Sequence, residues 1–377
     1  MWTFSIMMFV ILLITGISVG VTPLFSRQST PFGVSIPAEH QKNSFIESRK
    51  KRFAIINIVL GVGLSLPLFI APFIENQEQS EMFAGIYVTA AILILMIASF
   101  TLQLKYRKEL LVWKEKQPNQ ELVKPKIAID TKYHETLSSV SVSTLLWGQL
   151  LIIAMTVGTT LLYYKHIPEQ IPLNWDVNFE PNHFVEKSYL TALGLPMLQV
   201  MMMPVMIFAY YSFIKSRQKL SSKNPRLSKI KSQLFRRAWG RCVLLITLAT
   251  QLLITFIHFY SIFTLPFAPE WLMVMTFVYL AIVMGATFYV MLKYGQSGER
   301  LKLADEDETE AFYTDAEEDT NWKLGMFYYN KEDPAVFVER RFGIGSTFNM
   351  ARWQSWLAFG FIILFAIATL VWSVFIS

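Results

Sequence analysis

Eight apolar runs without a single Asp, Glu, Lys or Arg constrain this chain more than any other feature: 2–25, 53–74, 82–104, 142–164, 189–214, 242–263, 271–292 and 353–376. Each is close to the ~20 residues that an α-helix needs to cross the hydrocarbon of a bilayer. Because the apolar residues are continuous and do not alternate, the spans read as helices and not as barrel strands. Charged residues are 16% of the chain, against roughly 25% in ordinary soluble domains. A purely soluble or disordered chain is thereby excluded. The one cysteine, Cys242, rules out an intrachain disulfide framework and a Cys-rich zinc site.

All 62 charged side chains lie in the connections. The connections 26–52, 105–141, 215–241 and 293–352 hold 32 of the 34 Lys and Arg, and the alternate ones hold only Lys165 and Lys187. Lys and Arg are retained on the cytoplasmic side, so both termini are expected outside. The basic balance then reflects topology and not nucleic-acid binding. Residues 2–25 lack a basic stretch before the apolar run and exceed the ~7–15 residues of a signal-peptide core, so they read as a retained first helix. The expected fold is an all-α membrane protein with eight transmembrane helices. Connection lengths of 27, 7 and 37, then 24, then 27, 7 and 60 residues suggest two parallel repeats of four helices. The organisation is helices one to four (1–164), an outer loop (165–188), helices five to seven (189–292), an acidic linker (293–320), a motif module (321–352) and helix eight (353–377).

Within the spans, Gln149, Gln199, Gln251 and His258 are polar exceptions. Amides of this kind bond neighbouring helices, and structural glue is the favoured reading. No ionisable Asp, Glu, Lys or Arg sits mid-span, as ion-coupled transport would ordinarily need. Pro67, Pro72, Pro196 and Pro204 free backbone carbonyls that can line a cavity. Gly16-Ile17-Ser18-Val19-Gly20 fits the serine-hydrolase pattern G-x-S-x-G, but that motif works on a strand-to-helix turn and here lies mid-helix. The same glycines, spaced G-x-x-x-G, point to close helix packing.

The segment 215–241 has ten basic and no acidic residues, with Leu227, Ile230, Leu234 and Phe235 at helical spacing. It reads either as a basic interfacial helix on anionic headgroups or as a plain topogenic loop. The acidic stretch 305–319 lacks the spacing of a calcium loop and reads as a solvated linker. Beyond it, aromatic and β-branched runs flank Asn330-Lys331-Glu332-Asp333-Pro334, which predicts two strands around that turn. Gly343 and Gly345 supply backbone freedom, and Thr347 or Asn349 is expected to cap the last helix. A phosphate cradle beside Arg340 and Arg341 rests on G-x-G alone, a weak signal.

In the outer loop, His166, Asp176, Glu180 and His183 match no familiar metal-ligand spacing and read as solvated side chains. Its run Ile167-Pro168-Glu169-Gln170-Ile171-Pro172-Leu173-Asn174-Trp175, then Glu180-Pro181 and Lys187, resembles the membrane domain at the start of bacterial SdpI-type immunity proteins. In that family His is usual where Asn174 stands and Gly where Glu180 stands. Residues 321–349, with W-K-x-G-x-F-Y-x-N-x-x-D-P and R-F-G-I-G-x-T-x-N, are similar to a short uncharacterised domain of Firmicutes.

The resemblance implies protection against a secreted toxic peptide, or signalling through a cytoplasmic repressor. The first expectation is therefore a non-enzymatic receptor or immunity protein of the cell membrane, with neither cofactor nor metal. Its candidate outer ligand residues are Pro168, Pro172, Asn174, Trp175, Pro181 and Lys187. Its candidate contacts for a cytoplasmic regulatory protein are Trp322, Tyr328, Asn330, Asp333, Pro334, Arg341, Gly343, Gly345 and Asn349. A transporter for a small or amphipathic solute, and a membrane enzyme acting on lipid or cell-wall precursors, are the alternatives.

Overall fold

A computed structural model describes residues 2–117, 140–175, 181–217, 225–263, 268, 270–302 and 316–376. The long helices are α1 (Trp2–Phe25), α2 (Ser44–Ser65), α3 (Gln77–Glu115) and α4 (Val142–Leu162), with the single turn α5 (Tyr189–Ala192). They continue as α6 (Gly194–Ile214), α7 (Pro225–Ile262), α8 (Glu270–Tyr294) and α9 (Trp353–Ile376). Among the described residues seven helices are long and apolar enough to cross a membrane. In α9 the apolar stretch described is Trp353–Phe365, shorter than the rest.

Several helices outrun their apolar runs. α2 begins nine residues before its apolar run, α3 continues to Glu115, and α7 takes in the basic residues from Arg226 to Arg241. Lys, Arg and Glu are good helix formers, so loss of hydrophobicity does not end a helix; a cap or a breaker does. Asn43 caps α2 by accepting from the Phe45 amide at 2.9 Å, and α3 stops shortly before Pro118. From Pro225 onward the expected interfacial helix at 215–241 is thus the first turns of α7 and not a separate element.

The chain forms two compact units. One comprises 1–137, 215–235 and 291–355; the other comprises 138–214, 236–290 and 356–377. The first changeover between them falls after α3.

In the first unit α1 lies along α2 at backbone contact. A Cβ on Gly16 would come within 2.9 Å of the Gly61 Cα, and one on Gly20 within 2.9 Å of the Ala54 carbonyl oxygen. The G-x-x-x-G spacing is a packing seam. Pro67, lacking an amide hydrogen, ends the α-helical ladder, and Leu66–Phe73 continues as a 3-10 segment. Carbonyls near this break are met by hydroxyls from neighbouring helices. Ser5 donates to Leu68 O at 2.9 Å, Tyr87 to Leu64 O at 2.9 Å and Ser80 to Ala71 O at 2.6 Å. At Pro67 and Pro72 these carbonyls therefore bond neighbouring helices.

Replacing Gly16 by Ala is expected to destabilise the first unit by about 1–3 kcal/mol, because the new methyl meets backbone that cannot move aside. Gly63, whose Cβ would meet nothing within 4 Å, is the matched control. Thermal unfolding in detergent should show a lower midpoint for Gly16→Ala and none for Gly63→Ala.

Candidate functional site

Two stretches carry motifs, and each folds onto helix ends in its own unit. In the first unit, the connections that charge placed on one side of the membrane are found packed together. Residues Ser26–Ile36 are almost continuously buried, and Phe32, Val34 and Ile36 form a cluster with Ile46, Phe53, Tyr106 and Leu110. Phe342, from the R-F-G-I-G run, stacks on Phe32 with ring centroids 5.7 Å apart. Gly33 and Gly325 touch through their backbones: a Cβ on Gly33 would lie 2.4 Å from the Gly325 carbonyl oxygen. Both have positive φ, +77° and +74°, so glycine is required twice over.

Ion pairs surround this apolar contact. Arg341 pairs with Asp319, which also takes Lys114 at 3.2 Å and the Ser35 hydroxyl at 2.6 Å. Arg27 pairs with Glu339 and donates to Ser297 Oγ at 2.7 Å, while Glu299 lies 4.0 Å away. Arg217 reaches Asp333 at 2.6 Å and its backbone pairs alongside strand β5 (Phe337–Glu339), donating to Phe337 O at 2.7 Å. Burial pushes the Asp319 carboxyl up, but Arg341, Ser35 and Lys114 outweigh it and hold the pKa below the ordinary range. Burial raises Glu299, with Arg27 opposing. Asp319 therefore belongs to a charge network and not to the solvated linker expected for 305–319; residues 305–315 lie outside the described residues.

The strands pair locally. β3 (Trp322–Lys323) pairs with β4 (Phe327–Tyr328), and β5 with β6 (Ser346–Phe348), so the two expected strands do not meet around Asn330–Pro334. Leu324 and Gly325, at φ +54° and +74°, close the first hairpin too early for that. Asn349 holds the 330–334 turn: its Oδ1 accepts from the Asn330 amide at 3.0 Å, and its Nδ2 donates to Asn330 O at 2.8 Å and Asp333 O at 3.1 Å. It staples the module and does not cap α9, and Thr347 sits within β6.

Most of the motif side chains proposed as partner contacts are interior. Trp322, Tyr328, Asp333, Arg341 and Asn349 are all buried. Tyr328 donates to Asp333 at 2.9 Å, and burial pushes its phenol up to about 12. Asn330 bonds that phenol at 3.3 Å. Pro334 is exposed, and Gly343 and Gly345, at φ +89° and +108°, shape the strand entry. What the module exposes is the alternate face: Leu324, Phe327 and Tyr329. Period-two alternation along Phe327-Tyr328-Tyr329 was available to find this.

In the second unit the I-P-x-x-I-P stretch opens a hairpin, with β1 (Gln170–Trp175) antiparallel to β2 (Pro181–Glu186). Ile167 and Ile171 are buried with Ala192 and Ile262 and pin its base. Lys187 clamps the open end: its amide donates to Glu169 O at 2.8 Å, and its ammonium bonds Ile167 O and Glu169 Oε1, both at 2.9 Å. Pro168 and Pro181 are exposed, Pro172 lies opposite Phe184 in the register, and Phe184 is 47% exposed. Trp175 is half-buried; Asn174 lies opposite His183. Asp176 and Glu180 lie outside the described residues. Among the described residues, no group of three or more His, Cys, Asp or Glu is placed to hold a metal ion.

Helices of this length and composition define the class: an integral membrane protein. Residues 151–200, which include the hairpin, match a family described as a domain of unknown function, DUF1648. Residues 331–356 match a family of unknown function, DUF5808. No curated protein and no solved structure matches the chain.

Asp319, with its folded-state pKa below the ordinary ~3.9, contributes stability that is present above that value and is lost as pH falls through the depressed one. Asp319→Asn is expected to weaken module docking by about 1–3 kcal/mol at pH 7, since it leaves Arg341 without its charge partner. Limited proteolysis of the 316–352 region should be faster in the variant at pH 7, and the difference should shrink as the pH falls through the depressed pKa of Asp319.

Proposed function

We propose that this is a multi-pass protein of a bacterial cell membrane, crossing it eight times with both termini outside. It acts without catalysis, as a sensor or immunity protein. The hairpin 170–186 meets a secreted peptide or envelope signal, and the module 316–352 engages a cytoplasmic regulatory protein. The observation that carries this reading is the hairpin itself, clamped at its base by Lys187 and the two buried isoleucines while Phe184 stands exposed. A preorganised aromatic platform of this kind loses little entropy on binding a peptide. The module's Leu324, Phe327 and Tyr329 supply an apolar face for a protein partner. Arg226 and Ile230, exposed on the first turns of α7, suit contact with anionic headgroups.

Deleting the gene is expected to sensitise cells to one secreted peptide or to change expression of neighbouring genes. Phe184→Ala and Trp175→Ala should reproduce the deletion at normal protein levels. Resistance and transcription that stay normal in the deletion strain, across a broad peptide panel, would reject the reading.

A further inference from the structure

Three stretches of the first unit, far apart in sequence, meet at one charged joint. Arg27 follows α1, Ser297 and Glu299 follow α8, and Glu339 ends β5. Arg27 Nη2 pairs with Glu339 Oε2 and donates to Ser297 Oγ at 2.7 Å, and that hydroxyl donates to Glu339 Oε2 at 3.1 Å. Glu299 Oε2 accepts from the Gln28 amide at 3.0 Å, while its Oε1 stands 4.0 Å from Arg27 Nε, too far for a hydrogen bond. The run after β5 is tied to both neighbours: the Gly343 amide donates to Ser26 Oγ at 2.8 Å, and the Gly345 amide to Gln296 Oε1 at 3.2 Å.

One guanidinium here faces two carboxylates. The Glu299 and Glu339 side chains are 8% and 5% exposed, and Arg27 turns to Glu339, leaving its own Nε buried without a hydrogen-bond partner. Lys50 of α2 also faces Glu299, but its ammonium is held by Glu47 at 2.8 Å. Arg300, next in the chain, turns away to Leu24 O at 2.8 Å, and Lys231 of α7 meets the segment through its carbonyl oxygen, 2.5 Å from where a Gly298 Cβ would lie. Glu299 is thus a buried acid whose charge is only partly met. Burial raises its carboxyl above the ordinary ~4.3, with Glu339 reinforcing and Arg27, the Gln28 amide and Lys50 opposing. The backbone beside it is tightly wound, with Gly295, Ser297 and Gly298 at φ +62°, +58° and +82°. A serine in that conformation persists only where its surroundings hold it.

We propose that Glu299 is a proton-operated latch: with its proton it holds the segment after α8 against Arg27 and the end of β5, and without the proton the joint loosens. Neutral Glu299 leaves Arg27 to Glu339 and keeps the Gln28 amide as its neighbour. The ionised form sets a second negative charge beside Glu339 where water is excluded, and hydrating it requires the segment to lift away. Docked Glu299 therefore binds its proton more tightly than solvated Glu299 does. The stability this gives is fully present below the ordinary value and is lost as pH rises through the raised one. Asp319 acts in the opposite sense at lower pH, so the joint and the module beside it are held best between the two. The latch operates whatever the module binds.

Hydrogen exchange of the full-length protein in detergent tests this, read by mass spectrometry over 296–300 and 337–345 from pH 4.5 to pH 9. Dividing each rate by the intrinsic rate at that pH gives the opening constant of the joint. It is expected to rise with pH, by up to about tenfold per unit because one proton is lost, and then to level off. Glu299→Gln, which keeps the neutral shape at every pH, should hold the joint closed and flatten the profile. Glu339→Gln, which removes the competing carboxylate and leaves Arg27 to Glu299, should shrink the rise and end it at a lower pH. Should Glu299→Gln fail to fold, Glu339→Gln reports instead. An opening constant that stays level or falls with pH in the natural protein overturns the proposal. So does the natural profile retained in either variant.

Discussion

Hydrocarbon excludes charge, and nearly everything else in this protein follows from that. An Asp, Lys or Arg at mid-bilayer costs about 2.5–3.5 kcal/mol on insertion scales. The chain therefore keeps its apolar runs free of them and confines all 62 to the connections. Basic residues crowded into a few connections repel one another unless countercharge is brought in. In the first unit it is. Asp319, Glu299, Glu339 and Asp333 meet Arg341, Lys114, Arg27 and Arg217, and the acidic groups all come from 293–352 while their cationic partners come largely from other connections.

Ion pairs alone give little stability at a surface. Here they ring an apolar joint, with Phe342 against Phe32 and Gly33 against Gly325, which lowers the local dielectric and fixes the geometry. The same division of labour holds at the hairpin, where Ile167 and Ile171 provide burial and Lys187 provides register. In each case the motif residues chiefly build the platform. The large apolar side chains left exposed beside them are largely their neighbours along the strand.

Hydropathy made the helices legible, and the glycine spacing at Gly16 and Gly20 made one packing seam legible. Helix ends were not, because Lys, Arg and Glu carry α2, α3 and α7 past the apolar runs without a breaker. Strand pairing was misread at Asn330–Pro334, because a positive φ at Leu324 is invisible in a residue type that seldom adopts it. The buried connection Ser26–Ile36 has the Ser, Pro and Gly content of a solvated loop, and only its partners, Phe342 and Gly325, distant in sequence, make it core. Arg27, Arg217 and Asp319 were missed for the same reason: a charged side chain in a connection looks solvated until its countercharge is located.

The most direct measurement is the sidedness of single cysteines in a Cys242→Ser background, at Glu169 beside the hairpin and at Glu332 in the module, using a membrane-impermeant maleimide on intact cells. The account predicts labelling at position 169 before lysis and at position 332 only afterwards. Labelling of both positions from the same side would contradict it.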